Sequence, residues 1–247
     1  MKGLVEWAET EVQLPITTPR PGPLRLTAPQ RAILSAYDDP LTRQLTLMMS
    51  SQIGKSMLML IIIGWHMAQY PAQIMMAQAT RDSMRRFMME KFWPLVGSNS
   101  TLSGKVDPKV VNTMAPSVVD FIDGMMFTAW SGSNAMMRSA TAEVVVGDEV
   151  DIYKPTADYA SPVDMIRQRG TTFGDTFKLV IASTPIDAEE STIASEYEGG
   201  SQSKWHVPCI HCGEFHELVQ ESIRAGILYC PACGVAIQER ELSLIHI

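Results

Sequence analysis

The sequence predicts an α/β fold built on a mostly parallel, doubly wound sheet, and three observations carry that prediction. Short apolar runs of strand length alternate with helix-like runs, a Gly-Lys-Ser turn separates the first such strand from the apolar run after it, and a Val-rich run ends on paired carboxylates. All four cysteines fall in the last fifth of the chain, so a small second module is expected behind the α/β part.

The elements follow in order. A helix is expected near the N-terminus, then a proline-rich linker from Pro15 to Pro23 and a helix from Gln30 to Tyr37. Leu45 to Met49 reads as a strand, Ser50 to Ser56 as a tight loop, and Met57 to Trp65 as a buried helix ending before Pro71. Ile74 to Ala77 is the next strand and Arg81 to Phe92 the next helix. Val118 to Phe121 and Met125 to Ala129 form a hairpin turned by Asp123-Gly124. The run Glu143 to Glu149 is a short buried strand with two carboxylates at its C-terminal end, and Lys178 to Ala182 is a further strand ending in Ser183-Thr184-Pro185.

Strand, tight loop and helix form the setting that phosphate binding needs. Backbone N–H groups of Ser50, Ser51, Gln52, Ile53 and Gly54 can point at phosphate oxygens, Lys55 can reach the β- and γ-phosphates, and the Ser56 hydroxyl can ligate Mg²⁺. The full pattern has a glycine where this chain has Met49, and an ordinary helix N-terminus with a surface lysine is the competing reading. Downstream, Asp148 suits an Mg²⁺ ligand and Glu149 a carboxylate that orients and deprotonates the attacking water, whereas a solvated acidic turn would need neither. Strands of an open parallel sheet present ligands at their carboxyl ends, so both motifs are expected at one crevice, with Ser183 and Thr184 placed to sense the γ-phosphate.

Taken together, Ser50 to Ser56, the strand ending in Asp148-Glu149 and the Ser183-Thr184-Pro185 turn resemble the ATPase motor of tailed-phage large terminase subunits, most closely the lambda gpA-type branch. The resemblance covers roughly residues 20 to 240, and a divergent Ser-x-Gln-x-Gly-Lys-Ser loop, with Met49 before it, is usual in that family. It implies ATP and Mg²⁺ as ligands, with Lys55 and Ser56 on phosphate and metal, Asp148 on the metal, Glu149 as the catalytic carboxylate, and Ser183 and Thr184 as the coupling turn. Gln30 resembles the glutamine that such motors place near adenine; read locally, it is the third residue of a capping box opened by Thr27. Many terminases have an arginine where this chain has Ser51, so a charge-stabilising arginine has to come from elsewhere. Arg138, in the Ser/Asn-rich loop Ser131 to Ser139, is the candidate for an arginine finger acting across subunits, its alternative being a contact to DNA backbone or solvent. The implied partners are double-stranded viral DNA, a small terminase subunit and a portal-bearing procapsid that carries a homo-oligomeric ring of this chain.

Cys209-x-x-Cys212 and Cys230-x-x-Cys233, with seventeen residues between the pairs, form a zinc-ribbon signature: each knuckle has a glycine after its second cysteine, Gly213 and Gly234. A closed site of four thiolates would be structural. His206, His211 and His216 crowd the first knuckle and are read as second-sphere or surface groups.

At 247 residues and 46% apolar composition, the chain can bury a core for one α/β domain and a ribbon. The expected division is an arm and linker over 1–26, the motor over 27–203, the ribbon over 204–241 and a non-native tail over 242–247, where Leu-Ser-Leu-Ile-His-Ile reads as translated adapter sequence. Large terminases continue into a nuclease domain, so the chain is expected to be truncated before it. The N-terminus has no signal pattern and the longest apolar run, Met57 to Trp65, is too short to span a bilayer, so a soluble protein of the host cytoplasm is expected. A net charge of −7 argues against coating DNA, leaving local patches such as Arg81, Arg85 and Arg86, or Arg167 and Arg169. The seventeen methionines read as core filler. A fragment of a superfamily-two-type helicase and a non-catalytic zinc-ribbon adaptor that binds nucleotide are the alternatives to a packaging ATPase.

Overall fold

The computed structural model of the protein describes residues 2–51, 53–107, 109, 117–155, 161–186, 190–217, 219–225 and 227–237. Two compact units are present, Met1–Arg25 with Leu34–Gly200 and Leu26–Ile33 with Ser201–Ile247.

The larger unit opens with helix α1, Leu4–Glu11, whose buried residues Leu4, Trp7 and Ala8 follow the i, i+3, i+4 spacing of one helical face. The segment expected as an arm is thus part of this unit's core. Helix α2, Ala28–Asp38, begins two residues before Gln30, and its Leu34 and Tyr37 are buried. The proline-rich stretch is not simply a linker, because β1, Gln13–Leu14, pairs antiparallel with β2, Gly22–Pro23. The Asn99 side chain pins this ribbon by accepting from Gln13 N–H at 2.7 Å and donating to Gln13 O at 2.9 Å.

Six strands form the central sheet: β3 (Gln44–Met48), β4 (Gln73–Gln78), β5 (Val118–Phe121), β6 (Gly124–Trp130), β7 (Val144–Asp148) and β8 (Lys178–Ser183). Their order is β3-β8-β7-β4-β6-β5, and every neighbouring pair is parallel except the β5–β6 hairpin. Strand β7 is buried along its whole length, as the unbroken valine run requires of a strand covered on both faces. The hairpin turns one residue earlier than Asp123-Gly124: Phe121 pairs with Gly124, so Ile122 and Asp123 make the turn and Asp123 takes the left-handed φ of 65°. Gly124 is needed for space instead, since a Cβ there would lie 2.3 Å from the Phe121 ring and 2.8 Å from Ala72 O.

Helix α3, Lys55–Ala68, is apolar nearly all round and buried from Leu58 to Gly64, which is why its sequence shows no polar face. Helix α4, Arg81–Arg86, capped by Thr80 and Ser83, continues through a π-helical turn, Phe87–Phe92, into α5, Trp93–Ser98. The remaining helices are α6 (Ser100–Ser103), α7 (Asn134–Arg138), α8 (Pro162–Arg167) and α9 (Thr192–Glu198). Arg138 therefore closes a short helix and does not lie in a loop; Ser133 Oγ accepts from Met136 N–H at the N-cap, which is how Ser/Asn-rich sequence starts a helix here. Among the described residues, no helix is long and apolar enough to cross a membrane.

In the smaller unit, β9 (His206–Pro208) pairs with β10 (Phe215–Glu217), and β11 (Ile223–Arg224), β12 (Ile227–Tyr229) and β13 (Ala236–Ile237) form a three-stranded antiparallel sheet. Cys209, Leu228, Cys230 and Ile237 make its core. Residues 238–247, including the stretch read as a non-native tail, lie outside the described residues.

Candidate nucleotide site and cysteine cluster

The strand order decides the site. Strand β8 lies between β3 and β7, so the carboxyl ends of three adjacent strands deliver Ser50–Ser56, Ser183-Thr184 and Asp148-Glu149 side by side. Lys55 is buried at the first turn of α3, behind Gly54 at φ 99°. Its Nζ donates to Thr184 Oγ1 at 2.5 Å and to Met49 O at 3.2 Å, and it is 3.4 Å from Glu149 Oε1. Among the described residues, the only non-glycines with positive φ are Asp123, Glu149, Gln202 and Ala225. Met49 therefore needs no left-handed conformation, which explains why a methionine can stand at this position of the loop.

Asp148 is buried at 4% exposure and its Oδ2 accepts from Ser56 Oγ and from Gln78 Nε2, both at 3.2 Å. Its Oδ1 is buried without a protein partner. Burial pushes the Asp148 carboxyl up, against the opposing pull of the Gln78 hydrogen bond, and the neighbouring Glu149 charge adds to the rise. A carboxylate so placed is short of one cationic or donor partner, and this orphan oxygen beside a serine hydroxyl fits a divalent cation.

Glu149 leaves the strand through the left-handed region, φ 55° and ψ 51°, a conformation that costs a non-glycine residue about 1–3 kcal/mol. The kink separates the two carboxylates: Asp148 stays inside while Glu149 reaches the open side, its side chain 43% exposed, within 3.5 Å of Ser183 Oγ. Ser51, Gly54, Lys55, Ser56 and Glu149 line a cavity of about 470 Å³, which Pro15, Thr17, Thr18 and Pro19 between β1 and β2 also line. Ser50 and Ile53 are exposed on the loop, and Gln52 lies outside the described residues.

The other expected site residues are placed as follows. Gln30 Oε1 accepts from the Thr27 backbone N–H at 3.0 Å, the capping contact. Arg138 does not line the cavity; its backbone carbonyl accepts from Arg169 Nη1 at 3.1 Å. Two contributors went unread in the sequence. Gln78 follows directly on the apolar run Ile74–Ala77, a polar residue at a strand's carboxyl end, and that was the available signal. Lys91 Nζ donates to Ser56 Oγ at 2.9 Å and had no sequence signal. Asp151, the third acidic residue after Asp148-Glu149, accepts from Ser191 Oγ at 2.6 Å and Ile193 N–H at 2.7 Å.

In the smaller unit the sulfur atoms of Cys209, Cys212, Cys230 and Cys233 all lie within 4.8 Å of one another, and the Cys209–Cys233 and Cys212–Cys230 pairs are each 3.8 Å apart. Disulfide sulfurs would be about 2 Å apart. Four sulfurs at about 2.3 Å from a central tetrahedral ion would be spaced by about 3.8 Å, so the cluster fits one metal. His211 contributes its backbone N–H to Cys209 Sγ at 3.4 Å, a second-sphere contact, while His216 is buried and its Nδ1 faces Glu214 O.

An open parallel sheet with a phosphate-type loop and paired carboxylates at its carboxyl edge defines a nucleotide-hydrolysing class of fold. Residues 19–244 match the family described as phage terminase large subunit gpA, ATPase domain, and the chain belongs to that family. Among solved structures it resembles the HK97 bacteriophage large terminase (TM-score 0.65, 15% identity, 81% of this chain and 41% of that one). It also resembles a large terminase from a thermophilic bacteriophage in complex with ADP (TM-score 0.53, 18% identity, 72% and 43%). A third likeness is to a mutant ATPase domain of the Thermus phage P74-26 large terminase (TM-score 0.51, 13% identity, 74% and 72%). The chain thus spans under half the length of the first two. Comparison with curated proteins gives no match.

Proposed function

We propose that this chain is the ATP-hydrolysing part of a motor that drives double-stranded viral DNA into a procapsid. One observation carries the reading: Lys55 and Glu149, from motifs about a hundred residues apart in sequence, line one cavity, and Asp148 joins them through Ser56, at the carboxyl ends of β3 and β7 with β8 between. Lys55 and the Ser50–Ser56 amides, Gln52 included, hold the phosphates. Ser56 and Asp148 hold Mg²⁺, which when bound neutralises phosphate charge. Glu149 exchanges its contact with Lys55 for the attacking water, orients it and takes its proton. Ser183 and Thr184, already bonded to Glu149 and Lys55, transmit the loss of the γ-phosphate along β8.

Arg138 acts across subunits as the arginine finger in a homo-oligomeric ring docked on the portal, and the small terminase subunit presents the DNA. Gln30 is the candidate for contacting adenine, and its contact to the Thr27 N–H supports the alternative role as a cap of α2. The four cysteines bind Zn²⁺ and hold the ribbon together. Assembly of this kind takes place in the host cytoplasm.

Steady-state phosphate release from Mg-ATP, with and without double-stranded DNA, tests the reading on the parent chain, Lys55→Ala and Glu149→Gln. Turnover by the parent and a loss of about 10²-fold or more in both variants is expected. ATP binding with turnover equal in all three would reject it in favour of the nucleotide-binding adaptor.

A further inference from the structure

We propose that Lys91 is a catalytic residue of the nucleotide site: a second cation, delivered by a π-helical turn, that contacts the γ-phosphate alongside Lys55. The proposal rests on the nucleotide reading above and adds to it a residue that no motif announces.

Placement comes first. Lys91 lines the same cavity as Lys55, Ser56 and Glu149. Its ammonium group donates to Ser56 Oγ at 2.9 Å, and that hydroxyl donates to Asp148 Oδ2 at 3.2 Å, so the charge stands one hydroxyl away from the carboxylate. It approaches Ser56 from α4–α5, whereas Lys55 is drawn to β8 and β7 through Thr184 and Glu149. Lys91 thus holds the hydroxyl at the first turn of α3, while the Lys55 ammonium lies against Thr184, Met49 O and Glu149.

The backbone explains how an exposed lysine arrives there. In an unbroken α-helix, Lys91 would stack over Phe87, four residues before it, on a face that is buried. The turn Phe87–Phe92 is π-helical instead, and Trp93 N–H donates to Met88 O, five residues back. The wider turn puts Phe92 over Phe87, both at or below 2% exposure, and leaves Lys91 at the rim. Such single-turn bulges break helix register locally and often sit at functional sites.

Charge supplies the reason. Three carboxylates, Glu90, Asp148 and Glu149, surround or line a cavity that has to accept a triphosphate, and Lys55 alone leaves an acidic excess. When Ser56 turns its oxygen toward a divalent cation, Lys91 loses its present acceptor, and the oxygens of the terminal phosphate are the replacement that its flexible stem can reach. ADP lacks that group, so Lys91 should tell the two nucleotides apart.

Equilibrium titration of the full chain with Mg-ATPγS and with Mg-ADP tests this on the parent, Lys91→Ala, Lys91→Arg and Lys55→Ala. Lys91→Ala is expected to weaken ATPγS binding about tenfold while ADP binding stays within about twofold, as loss of one charge-assisted contact to the γ-phosphate predicts. Lys91→Arg should recover most of the loss. Lys91→Ala binding both nucleotides like the parent, or weakening both equally, would overturn the proposal while leaving the nucleotide site standing. A parent chain that binds neither nucleotide would instead remove the site reading on which the proposal rests.

Discussion

The Ser56 hydroxyl donates to Asp148 Oδ2 over 3.2 Å, which ties the first turn of α3 to the end of β7 across 92 residues of chain. The partner oxygen, Asp148 Oδ1, is buried with nothing to accept from. One buried carboxylate oxygen is therefore left without a donor from the folded protein, and this has a measurable cost.

Asp148→Asn should raise the midpoint of thermal unfolding by a few degrees in the absence of Mg²⁺ and nucleotide, corresponding to about 1 kcal/mol at this chain length. The sign follows from the raised carboxyl: it holds its proton more tightly folded than unfolded, so ionisation costs stability as pH rises through the folded pKa. The gain should shrink as pH falls toward the ordinary carboxylate range. The same variant should lose any stabilisation by Mg-ATP. A lower midpoint at neutral pH, or an undiminished response to Mg-ATP, would contradict the assignment.

Asp151→Ala should cost about 2 kcal/mol, or roughly 4–8 °C in unfolding midpoint. Asp151 accepts from Ser191 Oγ, from Ile193 N–H at the start of α9 and from Ile186 N–H at 3.2 Å, so it both caps α9 and clamps the segment after β8. Calorimetry decides; a change under about 0.5 kcal/mol would mean that water replaces the carboxylate.

His66 makes the larger unit acid-sensitive. Its Nε2 lies 2.7 Å from Tyr37 Oη and its Nδ1 2.9 Å from Tyr70 O, and burial lowers its pKa from 6.5 to about 4. The unfolded chain takes up the proton first, so this contribution is present above about pH 6.5 and disappears as pH falls toward 4, amounting to about 3 kcal/mol in all. His66→Phe should be less stable than the parent at pH 7, by about 1–3 kcal/mol for the stranded Tyr37 hydroxyl, with the difference narrowing at pH 4–5. Urea titrations across that range test it; a constant difference would exclude His66 as the source.

Metal analysis should find about one Zn²⁺ per chain, falling to near zero in Cys212→Ser/Cys233→Ser. Chelation should unfold the smaller unit, read as loss of slow amide exchange over β9–β13. Preparations without zinc that keep the same exchange protection would show that the cysteine cluster is not metal-dependent.

Much of this was legible in the chain because it is local. Short apolar runs mark all six central strands to within one residue at each end. The order of a glycine-lysine-serine loop, a valine strand ending on Asp148-Glu149 and a Ser183-Thr184 turn names the residues that meet. Boundaries erred where tertiary contacts overrode local signals. Gly124 is a glycine for the sake of the Phe121 ring and not for the turn. The linker prolines hid a strand pair pinned by Asn99. Ser131 to Ser139 carries a short capped helix.

By itself the sequence determined which side chains could do chemistry, because a phosphate loop, a pair of carboxylates and two Cys-x-x-Cys knuckles are set by spacing along a few residues. Tertiary structure alone decided their electrostatics. Inserting β8 between β3 and β7 puts Thr184 against Lys55, packing buries Asp148 with one oxygen unpaired, and a π-helical turn swings Lys91 to the cavity rim. Burial and proximity across a hundred residues depend on strand order and helix register, and neither is written in any single window of the chain.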